Sequence, residues 1–497
     1  MAVGTQTPPD NSKIVNEMTH IPSAKDRVNF VPLTEDTKYL FMMHAYHGTG
    51  GFRDGSYVIP HPREVFYDAR RQLAFYKNFT APVVDAMVNP VFHDPIKRQL
   101  YVNGTVKESG LLAHAFLDDA DNAGQSFHDL MRDAVTFAIL QGVTFVVMDN
   151  FPVQPQGKTD AIATRTLPYA YLKKAHEYVE SKTDRFGRLE WIIFTDDPDL
   201  TKTATGRVIK EERFVKYDAV NRVVMKKAAA GAGYVELESV PHGLFRVPIV
   251  PIIFGKKKSS KEIMVEPPHY DIAKLNYAIF NKDSEVRDQE RAQGFAVLYV
   301  QTENVGNITL GVHNALIIPM GANIEPGYAS PPPEILTMLR KGNEELRDDL
   351  FRIAGQRGVI GIQEAKSGVA MQWEFRAEEH VSQMVSQRAK AAEMAVFALF
   401  EEYAMEGAEL ESTYPTEFAP RDEINELDQV ERVLDMGMPT KASVLLKKKA
   451  FTAVTVKEDQ EDVDAALEEF DAFEEETRQN KDAAAAAMAA NFAQRTE

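Results

Sequence analysis

From Val369 to Glu406 the chain runs 38 residues without a glycine or a proline, and Gly407 ends the run. Few structures are open to such a stretch. As one helix it spans about 57 Å at about 1.5 Å per residue, beyond the usual globular length. Ser367 stands where its hydroxyl can cap the first turn. A second helix is expected over Glu334–Ala354, opened by Pro331–Pro333, because Ile335, Leu339, Leu346, Leu350 and Ile353 recur on one stripe. Between the two helices Gly355, Gly358, Gly361 and Gly368 punctuate a short loop that carries Arg357, Val359, Ile360, Gln363, Glu364 and Lys366. Glycine reaches backbone angles closed to other residues, so this loop is expected to change shape. No residue pair here looks catalytic; the region reads as a scaffold that holds a loop.

Composition narrows the function classes. A chain of 497 residues predicts two to four folding units. Its 44% hydrophobic and 26% charged content are ordinary for a soluble protein with a sizeable core. A formal charge of −18 argues against a general nucleic-acid binder, which needs clustered cations, but suits a body that surrounds DNA without gripping it. The sequence contains no cysteine, which excludes disulfides, thiolate nucleophiles and cysteine-ligated metals. The opening MAVGTQTPPDNSK lacks the order of a signal peptide, and no run approaches the ~18 apolar residues of a membrane helix. A cytoplasmic origin with no membrane partner is the expectation.

Taken in order, residues 1 to about 35 are polar and proline-dotted and read as an arm. His44 and His47 precede a glycine cluster, yet no carboxylate stands at zincin spacing and Arg53 breaks a phosphate-loop pattern, so a structural loop is expected. Helices are predicted over Glu64–Asn78, with a continuation after Pro82, and over Ser126–Gln141, ended by Gly142. VTFVVMD, Val143–Asp149, reads as a buried strand. The following Gly157-Lys158-Thr159 imitates a nucleotide-binding P-loop. Pro152 occupies the place of the required first glycine, and Pro152 and Pro155 remove N–H donors, so a polar loop is the better reading. Leu167–Glu180 is read as a further helix. FGRLEWIIFT, RFVKYD, YVELESV and RVPIVPIIF read as an antiparallel meander. Gly255-Lys-Lys-Lys258 could meet phosphate but reads more simply as a solvated turn.

Pro267-Pro268 opens a helix over Asp271–Gln293 that is apolar and periodic up to Phe280 and then becomes NKDSEVRDQERAQ. One end is expected to pack, the other to be wetted or to line a charged passage, with Lys282, Glu285, Arg287, Glu290 and Arg291 as candidate lining. FAVLYVQ, ITLGV and ALIIPM then form a small β excursion that ends at the prolines before Glu334. Beyond Pro420 a helix is expected from Arg421 to Met436. The tail from Glu458 to Glu476 carries eleven acidic residues and no basic one, and reads as a solvated face.

In this order the chain resembles the portal proteins of tailed double-stranded DNA bacteriophages. The likeness lies in YKNFTAPVVDAMVNPVF, in RVPIVPIIF leading to PPHYDIAKLNYAIFNKDSEVRDQE, in LRDDLFRIAGQRGVIGIQEAKSGVAMQWEF and in ERVLDMGMPTKASVLL. It covers most of residues 40 to 450 through order and spacing, with no motif as specific as a catalytic signature. The resemblance implies an α+β fold of portal type: an arm at 1–39, an α/β wing at 40–267, stem helices at 268–293 and 334–354 and a small β-containing clip at 294–333. It further implies a tunnel loop at 355–368, a long helix returning to the wing at 369–420 and a helical crown with an acidic tail at 421–497. By the same resemblance Arg357, Val359, Ile360, Gln363, Glu364 and Lys366 would face DNA. The chain would be a ring, usually of twelve copies, at one capsid vertex of the virion. It would be assembled in the host cytoplasm and would conduct double-stranded DNA during packaging and ejection. Its partners would be other copies of itself, the major capsid protein, the terminase motor, a head–tail adaptor and scaffolding protein. No cofactor, metal or catalytic residue is implied. Two other readings stand beside it, a structural adaptor or scaffold without a channel and a packaging NTPase. The broken P-loop and the absence of HExxH and GxSxG weigh against the enzyme.

Overall fold

The structure is a computed structural model that describes residues 37–61, 64, 66–151, 157–202, 208–228, 233–294, 297–301, 315–318, 327–329, 332–354, 368–416, 418, 466 and 469. The chain divides into two units, Met1–Phe418 and Ala419–Glu497, and all but two of the described residues belong to the first. Residues 1–36 of the expected arm, the middle of the clip, residues 355–367 of the tunnel loop with all six candidate residues, and the expected crown apart from residues 466 and 469 lie outside the described residues.

The first unit mixes helices and sheets, an α+β arrangement. It opens with α1 (Lys38–His47), α2 (Gly51–Asp54), α3 (Tyr67–Leu73) and α4 (Thr80–Phe92), followed by β1 (Lys97–Val102), β2 (Thr105–Val106), α5 (Leu112–Asp118) and α6 (Phe127–Gln141). Next come β3 (Val143–Asp149), α7 (Lys158–Thr164), β4 (Tyr169–Lys174), β5 (Tyr178–Thr183), β6 (Leu189–Lys202), β7 (Val208–Asp218), β8 (Asn221–Lys227), β9 (Tyr234–Pro241) and β10 (Ile249–Ile253). The last part holds α8 (Tyr270–Gly294), β11 (Val297–Gln301), β12 (Ala315–Ile318), β13 (Gly327–Ala329), α9 (Pro333–Ala354), α10 (Gly368–Ala404) and β14 (Ala408–Thr413).

Local signals explain several ends. Ser126 caps α6 by accepting from the Asp129 N–H, and Gly142 takes a φ of 88° where the chain turns directly into β3. Strand β3 is buried along its whole length and serves two cores. Val146 and Met148 join a large helical core with Phe41, Met131, Phe397 and Phe400. Val143, Phe145 and Val147, one step out of phase, join Ile192, Phe194, Val215 and Tyr217. The period of two in a strand produces this division. Sheet β10-β3-β4 is therefore packed by helices on one face and by the five-stranded meander β5-β6-β7-β8-β9 on the other.

Three expectations change. Residues 167–180 form β4, a short 3-10 turn and the start of β5, because Val146 pairs with Leu172 and Met148 with Ala170 across a sheet. RVPIVPIIF leaves the meander: β10 pairs antiparallel with β3, Val147 against Ile249. The helix expected over Glu64–Asn78 shortens to α3, leaving Phe66 and Phe75 exposed. On α10, Val385, Phe397 and Phe400 belong to the chain's own core, while Met384 and Met394 are exposed. Further exposed apolar side chains are Met338 and Ile353 of α9, and Phe66 and Phe75.

Candidate functional site

The polar half of α8 is the part of the chain whose chemistry needs most explanation. Helices α8 and α9 contain 25 and 22 residues and lie antiparallel. Asp283 meets Asn343 and lies 3.4 Å from Arg347 of α9, Glu290 is 2.6 Å from Arg340, and Gln293 donates to the Pro332 carbonyl at 3.4 Å. Partners thus descend along α9 as α8 ascends. Toward the other end Ile272, Ile279 and Leu350 close an apolar cluster with Leu275, Leu346 and Phe351. Between the far ends of the pair stands a small sheet in which β11 runs parallel to β12 and antiparallel to β13.

The polar residues of α8 that begin this stretch are packed, contrary to the expected wetted end. Asn281, Asp283 and Ser284 are buried. A buried polar group needs partners, and each has them. Asn281 Oδ1 accepts from the Ile59 N–H, and its Nδ2 donates to the Tyr57 and Tyr277 carbonyls. Ser284 accepts from Arg70, which also forks onto Glu64 at 2.6 and 2.7 Å. Burial would raise the Glu64 carboxyl, but Arg70 and the His61 N–H outweigh it and hold it below its ordinary value. Lys77 closes on Asp283 at 2.9 Å.

One turn earlier, fully buried Asn276 locks α8 to the start of α4. Its Oδ1 accepts from the Phe79 N–H at 2.9 Å and the Thr80 N–H at 3.2 Å, with the Tyr76 hydroxyl at 2.8 Å. Its Nδ2 donates to the Lys77 carbonyl. These are the first turn's orphan donors, satisfied by a side chain from nearly 200 positions away. Only the run's mixed polarity hinted at any of this.

The five proposed lining residues take different positions. At 100° per residue they are spread around the helix rather than along one stripe. Lys282 is half-buried, and its Nζ lies where a Cβ on Gly342 would stand, 2.2 Å away. Arg287 stacks on Phe75 with its Cζ 5.1 Å from the ring centroid and donates to the Leu73 carbonyl. Glu290 is paired with Arg340, while Glu285 and Arg291 are exposed.

Other sequence signals resolve into structural roles. His44 Nδ1 is 2.8 Å from the Tyr57 hydroxyl, and no group of three or more potential metal ligands forms among the described residues. Lys158 of the P-loop-like run is tied to buried Glu406 at 2.6 Å. A cleft of about 210 Å³ between α1, α4 and α6 is lined by Tyr46, His47, Asp85, Arg132 and Asp133 among others. Tyr46 donates to Asp85 at 2.6 Å, and burial raises Asp133 and lowers His47. The cleft offers no nucleophile beside a base.

No family profile matches the sequence, and no curated protein matches it. Among solved structures the chain is similar to a chain in the neck of an empty GTA particle computed with C6 symmetry, at a TM-score of 0.39 and 10% identity over 85% of this chain and 97% of that one. It is also similar to a chain in the neck of a native GTA particle computed with C12 symmetry, at a TM-score of 0.38 and 10% identity over the same shares. Likeness this loose fixes neither fold nor role.

Proposed function

We propose that this chain is a portal-type head–tail connector, a homo-oligomeric ring that conducts double-stranded DNA into and out of a virion. The observation that carries the reading is the antiparallel α8–α9 pair closed at its far end by a small sheet and followed by a 37-residue helix. A helical hairpin welded to a two-core body at Asn276 and Asp283 makes a stiff strut, and strut plus terminal sheet corresponds to stem plus clip. The long helix α10 then returns to the wing, where Phe397 and Phe400 pack into the large core. In this reading the sheet meets a packaging motor or adaptor, the body meets capsid and scaffolding proteins, and the segment 355–367 faces DNA. Exposed Met338, Ile353, Phe66 and Phe75 supply apolar surface for neighbouring copies. Closed cyclic symmetry covers such surface without leaving open ends. The chain performs no chemistry of its own.

Electron microscopy of the purified protein tests this directly. Rings with a central hole wide enough for a duplex are expected. Monomers or open filaments at every concentration, confirmed by native mass spectrometry, would replace the connector with an adaptor that has no channel.

A further inference from the structure

Within this acidic chain, exposed cations gather at a place apart from α8 and α9. Strands β5 and β6 are joined by a tight turn, and the loop after β10 folds against it. Asp184 organises the turn: its carboxylate accepts from the Phe186 and Arg188 N–H groups at 2.8 and 2.9 Å. Gly187 adopts a φ of 83°, and a Cβ there would stand 2.3 Å from the Ser260 carbonyl oxygen. Thr183 Oγ1 donates to the Lys261 carbonyl at 3.3 Å. Gly255 is similarly required, since its Cβ would stand 2.4 Å from Val265. Turn and loop are therefore held together by the close approach of Gly187 to Ser260 and by the Thr183 hydroxyl.

That juxtaposition gathers Arg185, Arg188, Lys256, Lys257, Lys258 and Lys261, all exposed, around Asp184 and Glu262. None of the six makes an ion pair among the described residues. Phe186 is 64% exposed, but Arg185 and Arg188 lie against its ring, with guanidinium carbons 4.5 and 5.8 Å from the centroid. The ring positions the two cationic forks side by side. A protein interface needs an apolar centre of several side chains, and among the residues gathered here Phe186 is the one exposed apolar side chain. Guanidinium forks and lysine point charges match phosphate oxygens.

We propose that this turn and loop form a sequence-independent contact for the phosphate backbone of duplex DNA, separate from any contact made by residues 355–367. Each cation that neutralises a phosphate releases counterions, so the contact is strong at low salt and weak at high salt. With about four of the six engaged, affinity falls roughly a hundredfold between ~50 and ~200 mM salt. The surface does not depend on the connector reading, because it is complete within one protomer.

Fluorescence anisotropy with the full-length chain and a labelled duplex of about 20 base pairs tests it. Replacing all six cations by Gln, with Asp184 and Gly187 intact, is expected to weaken binding at ~50 mM salt at least tenfold and to flatten the salt slope by about four. The double variant Arg185→Glu, Lys257→Glu, with an unchanged melting temperature, should lose most binding as well. Equal binding by the variants, or no binding by the unmodified chain at low salt, overturns the proposal. So does displacement of the duplex by polyglutamate more readily than by unlabelled duplex at equal charge, which would make the surface a dock for an acidic protein.

Discussion

Arg98 and Glu393 face each other as a buried bidentate pair, Nε to Oε1 at 2.9 Å and Nη2 to Oε2 at 2.8 Å, with the glutamate side chain 0% exposed. Ser412 and Tyr414 donate to the same carboxylate. The pair joins α10 to the β1–β14 ladder, in which Leu100 lies opposite Leu410. Burial alone would lower the Arg98 guanidinium, and Glu393 more than restores it. Removing one partner strands a buried charge, so Glu393→Met is expected to cost about 3–5 kcal/mol, and Arg98→Met a similar amount. The double variant with Met at both positions should cost less than the sum of the two. Urea denaturation of the three variants measures this, and strict additivity would show that the groups do not depend on each other.

Asn276→Ala leaves the Phe79 and Thr80 N–H groups without their acceptor in a closed environment. The expected loss is at least about 2 kcal/mol, since each unsatisfied buried donor costs about 1–3 kcal/mol. Hydrogen exchange should speed up first at residues 76–80, where α8 is fastened to α4. Exchange unchanged there would mean that water replaces the side chain.

Burial lowers the His269 imidazole to about 4, below its ordinary value of 6.5. The unfolded chain then binds a proton between those values that the folded chain refuses. Stability from this group is fully present above pH 6.5 and is lost as the pH falls toward 4, with a slope of up to about 1.4 kcal/mol per pH unit. His269→Gln should flatten the dependence of the denaturation midpoint in that window. An equally steep profile in the variant would assign the acid sensitivity to other groups.

Lys158 is 57% exposed while its partner Glu406 is nearly buried, and Glu406 also accepts from the Ala113 N–H. Solvent screening keeps such a pair weak, so Lys158→Ala is expected to cost about 1 kcal/mol or less. Purified protein should turn over ATP at background rates before and after the substitution. An ATPase activity lost with Lys158 would restore the enzymatic reading of Gly157-Lys158-Thr159.

Much of the chain is legible locally. The absence of Gly and Pro predicts α10 to within a few residues, Ser126 and Gly142 bound α6, and the β-branched run Val143–Asp149 is β3. These features depend on a residue and its near neighbours, through capping, backbone freedom and side-chain branching. Helices α8 and α9 are likewise legible, each by itself, from periodicity and the prolines before them. What the sequence could not decide is pairing. Residues 167–180 carry apolar spacing that fits helix or strand, and only the ladder from Val146 to Leu172 makes them a strand. The same holds for β10, whose partner β3 lies about a hundred positions earlier. The run after Phe280 looks solvated because its residues are polar, yet Tyr57, Arg70 and Asn343, all distant in sequence, satisfy its first buried members. Likewise, Gly255-Lys-Lys-Lys258 is an ordinary solvated turn until Gly187 meets Ser260 and brings two arginines beside it. Burial and charge clustering are sums over neighbours in space, and those neighbours are fixed only when the chain closes on itself.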